Sequence, residues 1–433
     1  MNAATATPSA NPSTTRPTAP APARSPLRLV FDLLASMKLT VVLMGLLALL
    51  TLTGTLAQTV DGIYYVQKQY FESWGLWANV SLGDDLTVPV PLPGAVPVLG
   101  LLFVNLLVGG IARMRWRQRN LGILTAHFGI ALLLVAGYVK LSVSFSGHLS
   151  LPEGAIGSTI RSFQEWELAL LWQEGDQVFE RTIPGATIEN ATGPSPVRLT
   201  GEGLPFMVDV SYFQEHCTPA LKTAMFQSAT PVVDGVCLVG DPKLIGTWPK
   251  DRDNRLAGCY VQIVENGARG AMGMLWAPDL LPTNVAAPHR PWAFEAGGRK
   301  WGLELRHKVW NLPYDLRLDK FRKSEHPGTT MARDFSSFVT VLEPGSMPRE
   351  AHIYMNEPLR KDGFVFYQTS FGPDPKRPGK FYSTFEVANN PSDKWPEWSC
   401  YVIGIGLLGH FIWKLSLFIA AENRRRHEYE VRA

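Results

Sequence analysis

Four stretches of the chain carry almost no charge over the length that a membrane crossing needs. Residues 39–58, 86–112 and 120–139 contain no Asp, Glu, Lys or Arg, and 398–421 is interrupted only by Lys414. At about 1.5 Å per helical residue, each can traverse a hydrocarbon core of roughly 30 Å. Helices buried in soluble cores rarely run so far without a charge. A cleaved signal peptide has an apolar run of only about 7–15 residues, so 39–58 reads as a retained helix. In the second window, Pro89, Pro91 and Pro93 hold the backbone extended, and the helix begins near Ala95. The pattern predicts an α-helical integral membrane protein with four transmembrane helices, at 39–58, 95–112, 120–139 and 398–421.

Between the third and fourth helices the period changes from helical to two. Short alternating runs recur, among them EWELALLW, PFMVDVSYF, WGLELRHKV, FSSFVTVLE and GFVFYQTSF. Turn residues separate them, including Pro-Gly at 184–185, 344–345 and 378–379. Many short strands with polar turns predict a large all-β domain, sandwich- or barrel-like, over 140–397. The stretch 214–257 is less regular and reads as an insertion.

Charge orients the helices. Arg16, Arg24, Arg28 and Lys38 precede the first, and Arg113, Arg115, Arg117 and Arg119 fill the loop 113–119. Lys414 and Arg424, Arg425, Arg426 and Arg432 mark the end of the fourth and the tail 422–433. The loop 59–94 carries Lys68 against Asp61, Glu72, Asp84 and Asp85. Positively charged flanks stay in the cytoplasm. Both termini are therefore expected inside, and 59–94 and the β domain outside. Residues 1–26, nearly all Ala, Pro, Thr, Ser and Asn, are expected to be a disordered cytoplasmic tail. A net charge of only +3 gives no electrostatic case for nucleic acid. Four Cys are too few for a disulfide-dense scaffold or an iron–sulfur protein built on Cys runs.

Candidate chemistry lies mainly in the membrane. His127 sits inside an uncharged helix and His410 inside one whose single charge is Lys414, roughly 10 and 16 Å from the cytoplasmic end at 1.5 Å per residue. Ionisable groups in hydrocarbon face the protein interior and are often functional, and a neutral imidazole is a good axial ligand for haem iron. A hydrogen bond to a neighbouring helix explains either residue equally well. Asn105 reads as such a helix–helix bond. Cys217, Cys237 and Cys259 fall in the β domain, where two of them could form a disulfide, and Cys400 lies at the outer boundary. No C-x-x-C or C-x-x-C-H is present, so neither a thioredoxin-like site nor a covalent haem site is encoded. His216–Cys217 is one pair, too few for a metal site, and reads as a surface loop. His148, His289, His307, His326 and His352 read as ordinary packing or surface positions. No G-x-S-x-G, P-loop or H-E-x-x-H occurs.

The segments HPGTTMARDFSSFVTVLE and HIYMNEPLRKDGFVFYQTSF resemble the ResB family of cytochrome c biogenesis proteins. The matching elements are Pro-Gly-Thr at 327–329, Asp-Phe-Ser-Ser at 334–337, Asn-Glu-Pro-Leu at 356–359 and Gly-Phe-Val-Phe-Tyr-Gln at 363–368. The first helix, ending in Gly-Thr-Leu and Gln58, and the third, with His127 before Phe-Gly, are similar too.

The resemblance implies a subunit of a System II complex in a bacterial cytoplasmic membrane, working with a CcsA/ResC-type partner that carries a Trp-rich haem-handling loop. Such a complex moves haem b across the membrane and supports its attachment to the C-x-x-C-H thiols of apocytochrome c. A thioredoxin-like reductant is a further implied partner. The chain would then be no enzyme by itself but an accessory part of a holocytochrome c synthase. His127 is the implied haem ligand, with His410 a second candidate. Asn356 and the alternating aromatics also have a plain reading as turn and core chemistry. The residues alone equally allow a membrane-anchored envelope protein whose β domain binds another protein or ligand without a cofactor.

Reporter fusions test the orientation. Alkaline phosphatase joined after Lys250 is expected to be active, and a fluorescent protein joined after Ala433 is expected to glow. The opposite pattern would place the β domain in the cytoplasm.

Overall fold

A computed structural model describes residues 25–81, 87–201, 203–222, 229–250, 254–277, 291–329 and 331–432. Most of the expected disordered tail, and His289, lie outside the described residues. Among those described, four helices are long and apolar enough to cross a membrane: Met37–Thr59, Ala95–Ala112, Gln118–Val143 and Trp395–Arg432. The last, at 38 residues, is about 57 Å long.

The chain divides into two compact units. One comprises the described parts of Met1–Leu46, Val98–Ala131 and Tyr401–Ala433. It is helical and contains both intramembrane histidines. It opens with a short helix, Pro26–Leu34, in the stretch between the expected tail 1–26 and the first span, to which the sequence pattern assigns no element. Proline at its start supplies the φ of a first turn. Leu27, Val30, Phe31 and Leu34 share one stripe at helical spacing, while Arg28 and Asp32 stand one turn apart. The helix stops at Ala35, and the first span restarts at Met37.

The other unit comprises Leu47–Pro97 and Leu132–Cys400 and holds the β domain. Strands β1 (Gly75–Ser81) and β2 (Thr87–Pro93) pair antiparallel ahead of the second span, so the proline-rich run is extended. A ten-stranded sheet is organised on two long strands, β4 (Ile156–Glu174) and β13 (Arg299–Glu325). On one side of this pair lie β14 (Ala332–Leu342) and β15 (Arg349–Tyr354). On the other lie β3 (Phe145–Pro152), β18 (Phe381–Asn389), β17 (Phe364–Pro373) and β16 (Leu359–Lys361). β5 (Gln177–Pro184) and β12 (Trp292–Ala296) add to the far ends of β4 and β13. A four-stranded sheet joins β6 (Val197–Leu199), β7 (Met207–Gln214), β10 (Gly258–Glu265) and β11 (Ala268–Trp276). Among the described residues the irregular insertion contributes the β8 (Thr218–Leu221) and β9 (Val236–Val239) hairpin and a short helical turn, Pro242–Ile245. The sheets are open rather than closed into a barrel.

Among the described residues these strands enclose two large cores and a small one around Cys217, Leu238 and Tyr260. The first large core gathers Trp166, Leu168, Val208, Val210, Val261, Leu303 and Leu305. The second gathers Leu149, Ile160, Leu316, Leu318, Val339, Phe366 and Phe385. β13 serves both by changing phase. Its buried positions are odd from Trp301 to His307 and even from Leu312 to Leu318. Since side chains alternate strictly along a strand, one extra residue moves the buried set to the opposite face. The change occurs where pairing with β4 slips, between His307 and Val309 and between Asn311 and Leu316. Pro313, which has no N–H to donate, falls inside that unpaired stretch.

Across the β4–β13 pair, Arg306 is bound by three carboxylates. It donates to Glu167 at 2.9 Å, to Glu304 at 3.0 Å and to Glu180 at 2.5 and 3.0 Å. Glu167 is buried. Burial raises its carboxyl above the ordinary range, against the opposing pull of Arg306. Removing one member of a buried ion pair leaves an uncompensated charge, at a cost of about 3–5 kcal/mol. Arg306→Met is therefore expected to lower the urea midpoint of the β domain in the detergent-solubilised chain. Adding Glu167→Gln to Arg306→Met should recover part of the loss.

Candidate functional site

The third and fourth spans meet through glycine. A Cβ on Gly122 would stand 2.6 Å from the Gly406 carbonyl oxygen and 2.7 Å from the His410 amide nitrogen. A Cβ on Gly406 would stand 2.6 Å from the Ala126 nitrogen. Only small residues allow backbones this close, and van der Waals contact is the main force joining helices in lipid. The N-terminal end of the third span is closed by Asn120, whose Nδ2 donates to the Arg115 carbonyl at 2.9 Å.

Ala126 faces the fourth span, and the next residue, His127, turns to the second. The half-buried imidazole places Nδ1 2.8 Å from the Gly110 carbonyl oxygen. A carbonyl only accepts, so Nδ1 carries the hydrogen and Nε2 keeps its lone pair. A His bonded in this way to the backbone is prepared to ligate a metal through the other nitrogen. Beside it, Phe128 meets Trp116 edge-on with ring centroids 6.3 Å apart, and both rings are exposed. Arg113, Arg115, Arg117 and Arg119 are all exposed on the same loop. One imidazole nitrogen, two aromatic rings and four guanidinium groups thus lie within a short length of chain. Together they suit a flat apolar ligand that carries a metal and anionic groups.

His410 belongs to the same helical unit but has other neighbours. Its backbone lies against Gly122, and its ring is 6.1 Å from that of Phe411. Its Nδ1 is buried with no hydrogen-bond partner. No ring contact joins it to His127.

The motif elements of the β domain are structural where their contacts are resolved. Ser337 donates to Gln368 Oε1 at 2.5 Å and lies 2.8 Å from Ser383, which accepts from Gln368 Nε2 at 2.7 Å. This small network ties β14, β17 and β18 where Ser337 and Ser383 are fully buried. Asn356 has a left-handed φ of 66°, which fits its turn. Asp334 and Glu357 are exposed and are not brought together as an acid–base pair.

Cys217, Cys237 and Cys259 are buried free thiols, and no disulfide links them. Burial pushes the Cys217 thiol up to about 12. The His216–Cys217 pair is not the surface loop expected. Cys217 is fully buried beside Leu238 and Tyr260, while His216 Nδ1 accepts from the Leu256 amide at 3.0 Å. Among the described residues no group of three His, Cys, Asp or Glu is placed to hold a metal ion. Two features escaped the sequence reading: the Trp116–Phe128 contact and the backbone role of Gly110. Adjacent glycines in an uncharged helix were the available signal for the second.

Residues 300–378 match the model of the ResB-like family. This bears out the resemblance seen in the Pro-Gly-Thr, Asp-Phe-Ser-Ser and Gly-Phe-Val-Phe-Tyr-Gln elements. The chain is also similar to Protein NrfI of Wolinella succinogenes, at 33% identity over 66 residues. That stretch is 15% of this chain and 7% of NrfI.

Two measurements follow from the burial of these groups. Burial, with help from Arg161, holds the His148 imidazole down at about 4, against 6.5 when free. The unfolded chain then binds the extra proton between those values, so stability falls as pH drops from about 6.5 towards 4. Urea midpoints across that range should show this slope and flatten in His148→Phe. A maleimide is expected to label Cys400 alone in the folded chain and all four Cys after denaturation.

Proposed function

We propose that this chain is the ResB-like subunit of a membrane complex that carries haem b across the bilayer and supports its attachment to apocytochrome c, acting with a CcsA/ResC-type partner. The match over 300–378 supports the cytochrome c biogenesis role. Four apolar helices bearing a β domain fit it. The observation that carries the haem reading is His127, an intramembrane imidazole whose Nδ1 is held by Gly110 and whose Nε2 is left to a ligand.

In this reading haem is cargo. His127 takes the iron through Nε2. The exposed Arg113, Arg115, Arg117 and Arg119 pair with the propionates by charge-assisted hydrogen bonds. Trp116 and Phe128 offer apolar contact to the ring. His410, whose buried Nδ1 has no partner, is a second imidazole for the same path. The basic loop and tail lie in the cytoplasm and the β domain outside, where apocytochrome arrives. There each Cys S–H adds across a haem vinyl group, forming a C–S bond and giving its proton to the adjacent carbon. That addition needs reduced thiols, which a thioredoxin-like partner supplies.

Co-expression with the partner under haem-replete conditions tests the reading. The purified complex is expected to show a Soret band that weakens severalfold in His127→Ala and returns with added imidazole. His410→Ala should weaken it as well if both residues serve. A complex that stays colourless would favour an anchored envelope protein whose β domain binds its partner without any cofactor.

A further inference from the structure

The second span leaves α-geometry over Leu106–Ala112, where its hydrogen bonds widen to a π-helix. Such turns are rare and collect at functional sites. Two adjacent glycines sit in this one, and each touches a different neighbour. A Cβ on Gly109 would lie 3.0 Å from the carbonyl oxygen of Ala35 and 3.2 Å from its Cα. A Cβ on Gly110 would lie 3.0 Å from His127 Nδ1. The turn thus seats the elbow before the first span with one glycine and the imidazole with the other.

Asn105, where the α-helical part ends, clamps the same elbow. Its Nδ2 donates to the Leu34 carbonyl at 2.6 Å and the Ser36 carbonyl at 3.1 Å. Its Oδ1 accepts from Thr40 at 2.6 Å. The side chain is only 5% exposed, and its amide group is bonded on both sides. The Ser36 carbonyl also accepts from the Thr40 amide at 3.3 Å, so the clamp closes onto the first turn of the span, where no water competes for the amide of Asn105.

We propose that Asn105 and the Gly109–Gly110 π-turn are the positioning device for His127. The clamp fixes the elbow, the elbow fixes the turn through Gly109, and the turn aims the Gly110 carbonyl at Nδ1. This sets the tautomer with Nε2 bare and ties ring orientation to the amphipathic helix Pro26–Leu34. The inference rests on the haem reading for its purpose, but the tautomer is a property of the haem-free chain.

Two readouts separate them. In the haem-free full chain with ¹⁵N-labelled histidine, the His127 signals, assigned by their loss in His127→Gln, should report one Nδ1–H tautomer. In Asn105→Ala and Gly110→Ala they should report a mixture. In the complex with its partner, both variants should lower haem affinity about tenfold, the scale of a lost bond behind a metal-ligating His. Should either variant fail to accumulate, Thr40→Val removes a single bond from Asn105 and carries the same expectation at smaller size. An unchanged tautomer together with wild-type haem affinity in the variants overturns the positioning role. A tautomer shift in a complex that never binds haem upholds the positioning geometry and overturns the haem reading alone.

Discussion

Within a bilayer no water is present to satisfy a backbone group or an amide, so each polar atom must find its partner in the protein. That constraint organises the helical unit. Asn105 bonds two carbonyls and a hydroxyl at the elbow, and His127 bonds the carbonyl exposed by a widened turn. Glycines at 109, 110, 122 and 406 bring the backbones close enough for this. Ser416 and Arg424 bond back to their own helix, while Asn105 and His127 each bond to another segment. Bonds of the second kind specify which helices meet, a choice that apolar surfaces in lipid leave open.

The β domain obeys the opposite solvent logic. Two large cores exclude water, and one strand serves both by shifting its buried face near Pro313. The family signature falls on the second core and its flanking turns, with Ser337, Gln368 and Ser383 joined inside. The first core, with β7, β10 and β11, lies mostly outside the matched residues 300–378. Recognisable sequence therefore follows the part of the domain whose interior includes a specific polar network. Alternating apolar strands of the kind in the first core can be met by many sequences.

Much of this was legible beforehand. The four spans follow from missing charge, and the β class from period two. Asn105 was readable as a helix–helix bond because an amide in hydrocarbon has few other uses. Other features were not legible, for identifiable reasons. The helix Pro26–Leu34 is short and directly follows a low-complexity tail. The phase change in β13 is a register event, visible only once its partner strand is known. The π-turn depends on what its glycines touch, and spacing cannot show that. His216–Cys217 looked like surface because the insertion is irregular, yet Cys217 packs into a small core of its own.

The shared strand also dictates an order of assembly. Glu167 waits for Arg306, 139 residues further along the chain. As synthesis proceeds from the N-terminus, β4, β7 and β10 emerge before the strand that completes their core. Neither lobe can close until β13 has been made. Pairings this remote carry a large loop-closure cost and are slow to form. The apolar faces of the early strands are therefore uncovered for the longest interval in the life of the protein, and that interval is when a chaperone has most to protect.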